Sequence, residues 1–454
     1  MSNTIAAIST PVAAGGIGVI RISGDEAFQT ADKVIQTTSG KSILSMKGYT
    51  AAHGKVVLEG ETIDECVALV FQAPKSYTGE DVVEISCHGG VLVTNRVLEA
   101  VIKAGAKPAQ AGEFTKRAFL NGKMDLSEAE GVMSLISAQG VQGMKAAMNT
   151  LEGTLSKKIN SLKDELVSAA AHMSAWVDYP DDEIPEIDFN NLTVMLTKVK
   201  GDLGDLLSRF DAGRAITEGV DTAIVGKPNV GKSALMNMLS GFNRSIVTDI
   251  AGTTRDVVEQ TVRVGSVLLR LADTAGIRDC DDVVESIGVD LAKTRIERAT
   301  LILAVFDGSN PLDEKDKEIF ALCRGREVIA IVNKSDLPCK ADNDYIKQRF
   351  PDAVYISATT GEGEKELTTA IEKVLGTDKI DTSQAMITTQ RQRSNAQAAL
   401  ESVEEALQAI ETGMTMDAVN VCIDTAIEQL LELTGQKAKE AVVNEVFAQF
   451  CVGK

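Results

Sequence analysis

Short alternations of apolar and polar positions dominate the first 120 residues of the chain. β-branched runs separated by turns with glycine or proline predict strands, and one longer apolar period predicts a helix. The predicted strands are 5–8, 18–22, 67–71 and 82–85, and the predicted helix is near 92–104. Residues 1–120 are therefore predicted to form a mixed α/β domain.

A helical period begins at Leu126. Beyond it, apolar side chains at 151, 155, 159, 162 and 166 are spaced by 4, 4, 3 and 4 residues, which predicts one face of a single helix. The pattern breaks at the acidic, proline-containing stretch 178–186 and resumes over 192–210. After residue 378 a second helical segment shows steps of 3, 4 and 3 between positions 400, 403, 407 and 410.

Between these helical segments the spacing of apolar residues changes, and the new pattern is typical of a doubly wound sheet. Strand-like runs at 222–225, 257–264, 267–271, 301–306, 328–332 and 354–356 alternate with helical intervals. The predicted fold class is multidomain α/β plus α. It has an α/β domain over 1–120, a helical domain over 121–214 and 379–454, and a doubly wound domain over 215–378 inserted into the helical domain.

Composition and charge limit the kinds of protein that this chain can be. Of 454 residues, 44% are hydrophobic and 24% are charged, which is ordinary for a folded protein. The 46 Lys and Arg against 65 Asp and Glu give a net charge of −19, which disfavours a non-specific polyanion binder. Seven scattered cysteines without a CxxC pair favour reduced thiols. No apolar run approaches the ~18 residues of a membrane span, and no basic signal-peptide region starts the chain, so we expect a cytoplasmic protein.

GKPNVGKS, residues 226–233, is a phosphate-binding loop pattern that follows a predicted strand and opens a predicted helix. Its glycines let consecutive backbone N–H groups turn toward a phosphate. Lys232 is expected to contact the β- and γ-phosphates during catalysis, and Ser233 Oγ is expected to ligate Mg²⁺. The predicted nucleotide contacts of the loop are Asn229, Val230, Gly231, Lys232, Ser233 and Ala234.

NKSD, residues 333–336, indicates that the nucleotide carries guanine. The Asp336 carboxylate can accept two hydrogen bonds from guanine but would face adenine without donors, and such an unpaired acceptor costs about 1–3 kcal/mol. A backbone N–H of the Ser357-Ala358 pair would then face guanine O6. The predicted base contacts are Asn333, Lys334, Asp336, Ser357 and Ala358. With these motifs, the inserted domain is predicted to be a Ras-like P-loop G domain that binds GTP and GDP.

Two further segments are expected near the γ-phosphate. DTAG, residues 273–276, ends a strand, so that Asp273 would hold Mg²⁺ through water and the Gly276 N–H would contact the γ-phosphate. GTTRD, residues 252–256, lies where switch I belongs, and Thr254 is favoured over Thr253 as a Mg²⁺ ligand. The predicted contacts of both segments are Gly252, Thr253, Thr254, Asp273, Thr274, Ala275 and Gly276.

The residue after DTAG is Ile277, where regulatory GTPases have a glutamine that orients the attacking water. An aliphatic side chain cannot orient water, so hydrolysis needs another orienting group and another source of positive charge. Glu285 is a candidate for the first role, with a solvated acidic residue as an equal alternative from spacing alone. Arg255 or Arg278 could supply the charge in cis, or a monovalent cation at Asn229 could supply it.

Over its full length the chain resembles the bacterial tRNA modification GTPases of the MnmE/TrmE family. The resemblance is carried by GGIGVIRISG (15–24), YTGEDVVEISCHGG (77–90), GEFTKRAFLNGKMDLSEAE (112–130), the nucleotide motifs and the terminal FCVGK (450–454). One small departure is Lys227, which stands where an arginine is common. The resemblance implies a folate-binding N-terminal domain that also forms a homodimer, a central helical domain, and a G domain inserted into it.

The resemblance also implies that GTP hydrolysis supports modification of the wobble uridine, U34, at C5 in certain tRNAs. A GidA/MnmG-type FAD-dependent flavoprotein would form a heterotetramer with the chain and join in adding an aminomethyl or carboxymethylaminomethyl group, with 5-formyl- or methylene-tetrahydrofolate as one-carbon donor. Matching positions imply folate contacts at Arg21, Glu80, Lys123 and Lys454, whose charges suit the carboxylates and the pterin edge of folate. Cys451 matches a cysteine that is a candidate for direct involvement in the chemistry.

The family's G domains dimerise across their switch faces, and K⁺ there replaces an arginine finger. The K⁺ ligands implied for this chain are Asn229, Thr248, Ile250 and Thr253, and Asp249 and Ala251 of the same loop are expected contacts of the nucleotide site. Glu285 matches the family's water-orienting glutamate, and the resemblance therefore favours that role for it.

A ribosome-assembly GTPase is the main alternative, because the same G-domain motifs and the same missing glutamine would serve a switch that senses RNA. Such proteins usually add an RNA-binding module or a second G domain, whereas this chain has one phosphate loop and no basic stripe. A scaffold that leaves all the chemistry to its partner is a third alternative.

Overall fold

Two β-sheets and several long helices make up most of the chain in the computed structural model, which describes residues 4–178, 188–241, 260–271, 297 and 299–454. The described residues divide into two units. Unit 1 contains those within 1–133, 156–187 and 412–454, and unit 2 contains those within 134–155 and 188–411.

Unit 1 contains a seven-stranded sheet near the start of the chain. Its strands are β1 (Ile5–Ile8), β2 (Ile17–Ser23), β3 (Ile35–Thr37), β4 (Thr50–Leu58), β5 (Glu61–Phe71), β6 (Val82–His88) and β7 (Lys107–Pro108). They lie in the order β3-β4-β5-β6-β2-β1-β7, and every neighbouring pair is antiparallel except β1 with β7. The predicted strands at 5–8, 18–22, 67–71 and 82–85 all lie in this sheet.

Helices pack on this sheet and continue into the helical part of unit 1. The helices that lie wholly or mostly in unit 1 are α1 (Ala27–Val34), α2 (Val91–Lys103), α3 (Glu113–Leu120), α4 (Leu126–Ser137), α6 (Thr154–Asp178), α14 (Met416–Thr434) and α15 (Glu440–Ala448). The inward side chains of α1 and α2 share one core with alternate residues of β2, such as Ile20 and Ile22. That alternation is the sequence signal which predicted the strand.

The single helix face predicted for 151–166 is wrong at its first position. Leu151 is the last residue of α5 (Val141–Leu151), whereas the other four positions lie on α6. Gly153 adopts the left-handed backbone conformation with φ +76° and donates its N–H to Thr150 O over 3.0 Å, which ends α5. The spacing of leucines continues across the break, so it could not reveal the turn.

Unit 2 contains a six-stranded sheet. Its strands are β8 (Val220–Val225), β9 (Gln260–Val264), β10 (Val267–Leu271), β11 (Leu301–Asp307), β12 (Val328–Asn333) and β13 (Val354–Tyr355). They lie in the order β13-β12-β11-β8-β10-β9, and all neighbours are parallel except β9 with β10. β11 is buried along its whole length, as a strand covered on both faces must be. Residues 257–259 of the predicted run 257–264 lie outside the described part of the chain.

Helices cover both faces of the unit 2 sheet. The helices of the described part of this unit are α5, α7 (Phe189–Ser208), α8 (Phe210–Thr217), α9 (Lys232–Gly241), α10 (Glu314–Leu322), α11 (Asn343–Arg349), α12 (Glu364–Val374) and α13 (Gln390–Glu411). α9 and α12 share one core with the sheet, α10 and α11 share another, and α7 packs along α13. The predicted fold class, multidomain α/β plus α, is confirmed. The domain limits at 120, 214 and 378 stay a prediction. Within the described residues, no helix is both long and apolar enough to span a membrane.

Candidate functional site

The phosphate-loop sequence forms the turn between β8 and α9. The turn needs residues with unusual backbone angles, because Asn229 has φ +64° and Gly231 has φ +98°. A Cβ on Gly231 would lie 2.1 Å from the Asn333 side-chain nitrogen, and a Cβ on Gly226 would lie 2.6 Å from the Val305 carbonyl oxygen. Both glycines are therefore required by close packing of the loop against neighbouring strands.

Lys232 begins α9 and its side chain folds back over the loop. Its Nζ donates to the carbonyl oxygens of Gly226 and Lys227, each over 2.8 Å. Burial lowers the pKa of this lysine, because desolvation disfavours the ammonium form. A phosphate placed next to Nζ would favour the charged form again, so the position suits an anionic ligand.

Asn333 joins three segments of the site. Its Nδ2 donates to Val230 O of the phosphate loop over 2.8 Å, and its Oδ1 accepts from the Ala358 N–H over 3.0 Å. The Val230 carbonyl requires a donor and the Ala358 N–H requires an acceptor, so the two hydrogen bonds fix the orientation of the Asn333 side-chain amide. The buried Asn333 side chain thus holds the phosphate loop and the Ser357-Ala358 pair at a set distance from the end of β12.

Lys334 provides a second connection between the same segments. Its Nζ donates to Asn229 O over 3.0 Å and to Asp307 Oδ2 over 2.7 Å. Burial alone would raise the pKa of Asp307, but hydrogen bonds from Lys334, Ser309 and Asn310 outweigh it and lower that pKa to about 2. The ion pair is therefore formed at physiological pH.

The structure brings most of the described nucleotide residues to one edge of the sheet. The loop residues 229–234, Asn333, Lys334 and the Ser357-Ala358 pair lie together through the bonds given above. Asp336 is exposed in the loop that follows β12, while the neighbouring Ser335 N–H donates to Ile356 O over 3.0 Å. This arrangement leaves the Asp336 carboxylate accessible to a base.

Several predicted residues lie outside the described part of the chain: Thr248, Asp249, Ile250, Ala251, Gly252, Thr253, Thr254, Asp273, Thr274, Ala275, Gly276 and Glu285. Of the predicted metal ligands, Ser233 and Asn229 are described, and both are exposed at the loop. A hydroxyl and an amide oxygen are suitable ligands for Mg²⁺ and K⁺. The described residues contain no group of three or more His, Cys, Asp or Glu that could hold a metal.

The predicted folate contacts lie in unit 1, and two of them already have charged partners. Arg21 on β2 faces Glu84 on β6, and its Nε and Nη2 lie 2.9 and 2.8 Å from Glu84 Oε1. The guanidinium also lies against the rings of Tyr77 and Phe114, 5.4 and 5.6 Å from their centroids. Cation–π contact and the ion pair together fix the position of Arg21.

Glu80 is the second predicted contact with a charged partner. Arg117 Nη1 donates to both of its carboxylate oxygens over 3.1 Å, and Ser23 Oγ donates to Oε2 over 2.8 Å. Neither Arg117 nor Glu84 was predicted. Tyr77 and Glu84 lie inside YTGEDVVEISCHGG, but only the strand register shows that Glu84 faces Arg21.

The end of the chain docks beside Arg21. Val452 forms an isolated bridge with Ala111, and Gly453 O accepts from Ser9 Oγ over 3.1 Å and from Arg21 Nη1 over 3.4 Å. Burial and the nearby Arg21 charge both lower the pKa of Lys454. Arg21 and Lys454 are thus placed close together, with the Glu84 carboxylate near both.

The remaining two unit 1 predictions have different surroundings. Lys123 is exposed, and its Nζ donates to Pro74 O over 3.1 Å. Cys451 is also exposed, and its carbonyl accepts from the Gly112 N–H over 3.4 Å. The structure therefore brings Arg21 and Lys454 together, whereas no contact joins Lys123 to either.

Family comparisons cover nearly the whole chain. The family model described as "MnmE helical domain" matches residues 126–451, and the one described as "GTP-binding protein TrmE N-terminus" matches residues 4–123. The tRNA modification GTPase MnmE of Acetivibrio thermocellus is 40% identical over 457 residues, covering 100% of this chain and 99% of that protein. The protein of the same name from Geobacillus thermodenitrificans is 42% identical over 458 residues, with the same coverage.

Similar solved structures cover a smaller part. A variant of Era from Aquifex aeolicus bound to GDP and AlF4⁻ has a TM-score of 0.27 and 30% identity, covering 40% of this chain and 66% of that one. The G domain of the T. maritima FeoB iron transporter has a TM-score of 0.27 and 26% identity, covering 34% of this chain and 98% of that one.

Proposed function

Because the chain belongs to the MnmE/TrmE family of tRNA modification GTPases, we propose that it couples GTP hydrolysis to modification of the wobble uridine of certain tRNAs at C5. The observation that carries the proposal is 40% identity over the full chain to a tRNA modification GTPase. The Asn333 connection between the phosphate loop and the guanine-reading segment supports it, because the two ends of a nucleotide would bind to one rigid assembly.

Nucleotide binding would use the described loop as follows. Backbone N–H groups of residues 229–234 and the Lys232 ammonium would hold the phosphates, and Ser233 Oγ would ligate Mg²⁺. The Asp336 carboxylate would accept the two guanine N–H groups, and the Ala358 side of the Ser357-Ala358 pair would face O6. Thr254 and Asp273, which lie outside the described residues, would complete the Mg²⁺ shell.

Hydrolysis needs an oriented water and positive charge on the phosphates. We assign the orientation of water to Glu285, since Ile277 cannot do it. K⁺ held by Asn229, Thr248, Ile250 and Thr253 would supply the charge. The exposed Asn229 side chain in its left-handed backbone conformation is compatible with that ligand role.

Tetrahydrofolate binding is proposed for unit 1, beside Arg21 and Lys454. Two neighbouring cations, one of them with a lowered pKa, suit the carboxylates of a folate glutamyl tail. The half-buried Tyr77 ring offers apolar surface close by, and Glu80 and Lys123 would add polar contacts. Bound 5-formyl- or methylene-tetrahydrofolate would supply one carbon, and the exposed Cys451 is proposed to take part in the chemistry.

The proposed assembly is a homodimer that forms a heterotetramer with a GidA/MnmG-type FAD-dependent flavoprotein in the cytoplasm and acts on tRNA. The flavoprotein would supply the redox chemistry that the folate and the GTPase cannot. Together they would add the aminomethyl or carboxymethylaminomethyl group.

The steady-state GTPase rate of the purified chain, in K⁺ and in Na⁺ at matched ionic strength, tests the hydrolysis mechanism. We expect marked stimulation by K⁺, which Asn229→Ala should remove. Equal rates in the two salts would argue against cation-assisted hydrolysis, would point to Arg255 or Arg278 in cis, and would favour a ribosome-assembly switch instead.

A further inference from the structure

Lys227, the second residue of the phosphate loop, is held by two carboxylates. Its Nζ donates to Asp313 Oδ2 over 3.0 Å and to Asp316 Oδ2 over 2.7 Å. The Asp316 side chain is 1% exposed and that of Lys227 is 16% exposed. A lysine inside a phosphate-binding loop could contact the ligand itself, but this one points away toward α10.

The two acids have positions that do not depend on the loop. Asp313 Oδ1 accepts from the Asp316 N–H over 3.1 Å, and Asp316 Oδ2 accepts from the Asp313 N–H over 3.0 Å. These bonds form a capping box at the start of α10. α10 therefore offers a fixed anionic anchor to whatever lies in front of it.

Burial alone would lower the pKa of Lys227, yet its bonds to Asp316 and Asp313 outweigh burial and raise it. The pKa of Asp313 is lowered, chiefly by its hydrogen bond from Lys227. Both partners thus stay charged around neutral pH, and the ion pair persists.

The main chain of Lys227 has a second contact, on the other side of the residue. Its carbonyl oxygen, together with that of Gly226, accepts from Lys232 Nζ. A single residue therefore joins the α10 acids to the ammonium that is expected to bind the β- and γ-phosphates.

The rest of the loop is held from another direction. Asn333 binds the Val230 carbonyl and Lys334 binds the Asn229 carbonyl, so both connections act on the second half of the loop. The first half, which carries the two carbonyls that hold Lys232, is held by the Lys227 side chain. A loop that is already in its binding conformation loses less entropy when the ligand binds.

We propose that Lys227, anchored by Asp313 and Asp316, is a positioning residue for Lys232: it fixes the two carbonyl oxygens that hold the Lys232 ammonium where the nucleotide phosphates bind. The assignment rests on the proposed GTP site and adds to it a loop anchor on α10. The anchor acts through Lys232, because the Lys227 side chain itself points to Asp313 and Asp316.

Three variants separate positioning from support of the fold. Lys227→Met removes the ammonium but leaves Asp316 buried without it, which should lower both stability and GDP affinity. Lys227→Met/Asp316→Asn also removes the buried charge, while the Asn oxygen can still accept from the Asp313 N–H. Lys227→Arg keeps the charge. Lys317→Met is the matched control, because Lys317 pairs with the exposed Glu314 on the same helix over 2.6 Å.

The measurements are the equilibrium dissociation constant for GDP, the kcat and KM for GTP, and the melting temperature, all on the full chain. We expect about a tenfold weaker GDP affinity in both variants that contain Lys227→Met, corresponding to loss of one charged hydrogen bond. The melting temperature should recover only in part in the double variant, because the Asn amide nitrogen would occupy the buried Oδ1 position, which has no hydrogen-bond partner among the described residues. The GDP affinity should not recover. Lys227→Arg and Lys317→Met should bind GDP within about twofold of the wild type.

GDP affinity that recovers together with the melting temperature in the double variant would show that the ion pair only supports the fold, and would overturn this assignment alone. Unchanged affinity in Lys227→Met would do the same. Absence of GDP binding by the wild-type chain would overturn the proposed function and this assignment together.

Discussion

The nucleotide loop in unit 2 and a cluster of charged side chains in unit 1 are held in different ways. We call this cluster, which contains Arg21, Glu80, Glu84, Arg117 and Lys454, the cation site. In the nucleotide loop, the side chains of Lys232, Asn333 and Lys334 bind main-chain carbonyls of the loop. In the cation site, charged side chains bind each other, as in the pairs Arg21–Glu84 and Arg117–Glu80. The first arrangement fixes backbone N–H groups for phosphates, whereas the second holds charged side chains in place through ion pairs.

The two regions should respond to different kinds of change. Function of the nucleotide loop should be sensitive to changes that move its backbone or remove Lys232. Function of the cation site should be sensitive to pH and to replacement of one charge by another. The largest effects are expected in the loop, because the hydrogen bonds from Lys232, Asn333 and Lys334 all require the same backbone conformation of the loop.

Replacing Lys232 should have the largest effect. In Lys232→Ala, the two carbonyls of the loop lose their hydrogen-bond donor. The phosphates also lose a positive charge, whose interaction with them is strongest in the transition state. We expect kcat/KM for GTP to fall by about a hundredfold to a thousandfold, the range found when one electrostatic stabiliser is removed. Steady-state hydrolysis assays would measure it, and a loss below tenfold would show that Lys232 is not central to the site.

A methyl group at Gly231 should have the next largest effect. In Gly231→Ala the Cβ would lie 2.1 Å from the Asn333 side-chain nitrogen, at a backbone φ of +98°. Strain of about 3 kcal/mol corresponds to about a hundredfold loss of GDP affinity. Gly204→Ala, on α7, is the control, because its Cβ would meet nothing within 4 Å. Equal GDP affinities of the two variants would mean that the Asn333 connection does not set the loop.

Removing the charge of Asp336 should change specificity more than stability. Asn at this position offers one donor and one acceptor in place of two acceptors, so guanine loses a bond while xanthine gains one. We expect Asp336→Asn to weaken the binding of GTP by about tenfold to thirtyfold and to favour the binding of xanthosine triphosphate. Competition titrations with the two nucleotides measure the change, and an unaltered preference would exclude a guanine-reading role for Asp336.

The smallest effect is expected in unit 1 and depends on pH. The pKa of Lys454 is lowered, so its positive charge is lost at a lower pH than that of an ordinary lysine. Affinity for tetrahydrofolate should therefore weaken a few-fold as pH rises toward the alkaline range, whereas Lys454→Arg should remove the dependence because a guanidinium stays protonated. Fluorescence titrations between neutral and alkaline pH would detect it. A pH dependence that survives in Lys454→Arg would assign it to another group.

The sequence predicted the nucleotide loop better than the cation site, for a physical reason. The glycines of GKPNVGKS specify a backbone conformation that few other residues can adopt. The loop lies between β8 and α9, as predicted. The partners of Arg21 and Glu80 depend on strand register and on the position of α3, which no local pattern shows. The break between α5 and α6 was missed because the spacing of apolar residues continues across Gly153.

We have proposed that GTP hydrolysis by this chain serves tRNA modification. Mass spectrometry of nucleosides from the tRNA of cells that lack the chain, supplied with the wild type, Lys232→Ala or Lys317→Met, tests the claim directly. We expect the C5-modified wobble uridine to be restored by the wild type and by Lys317→Met but not by Lys232→Ala. Wobble uridines that are unaffected by loss of the chain, or full restoration by Lys232→Ala, would contradict it.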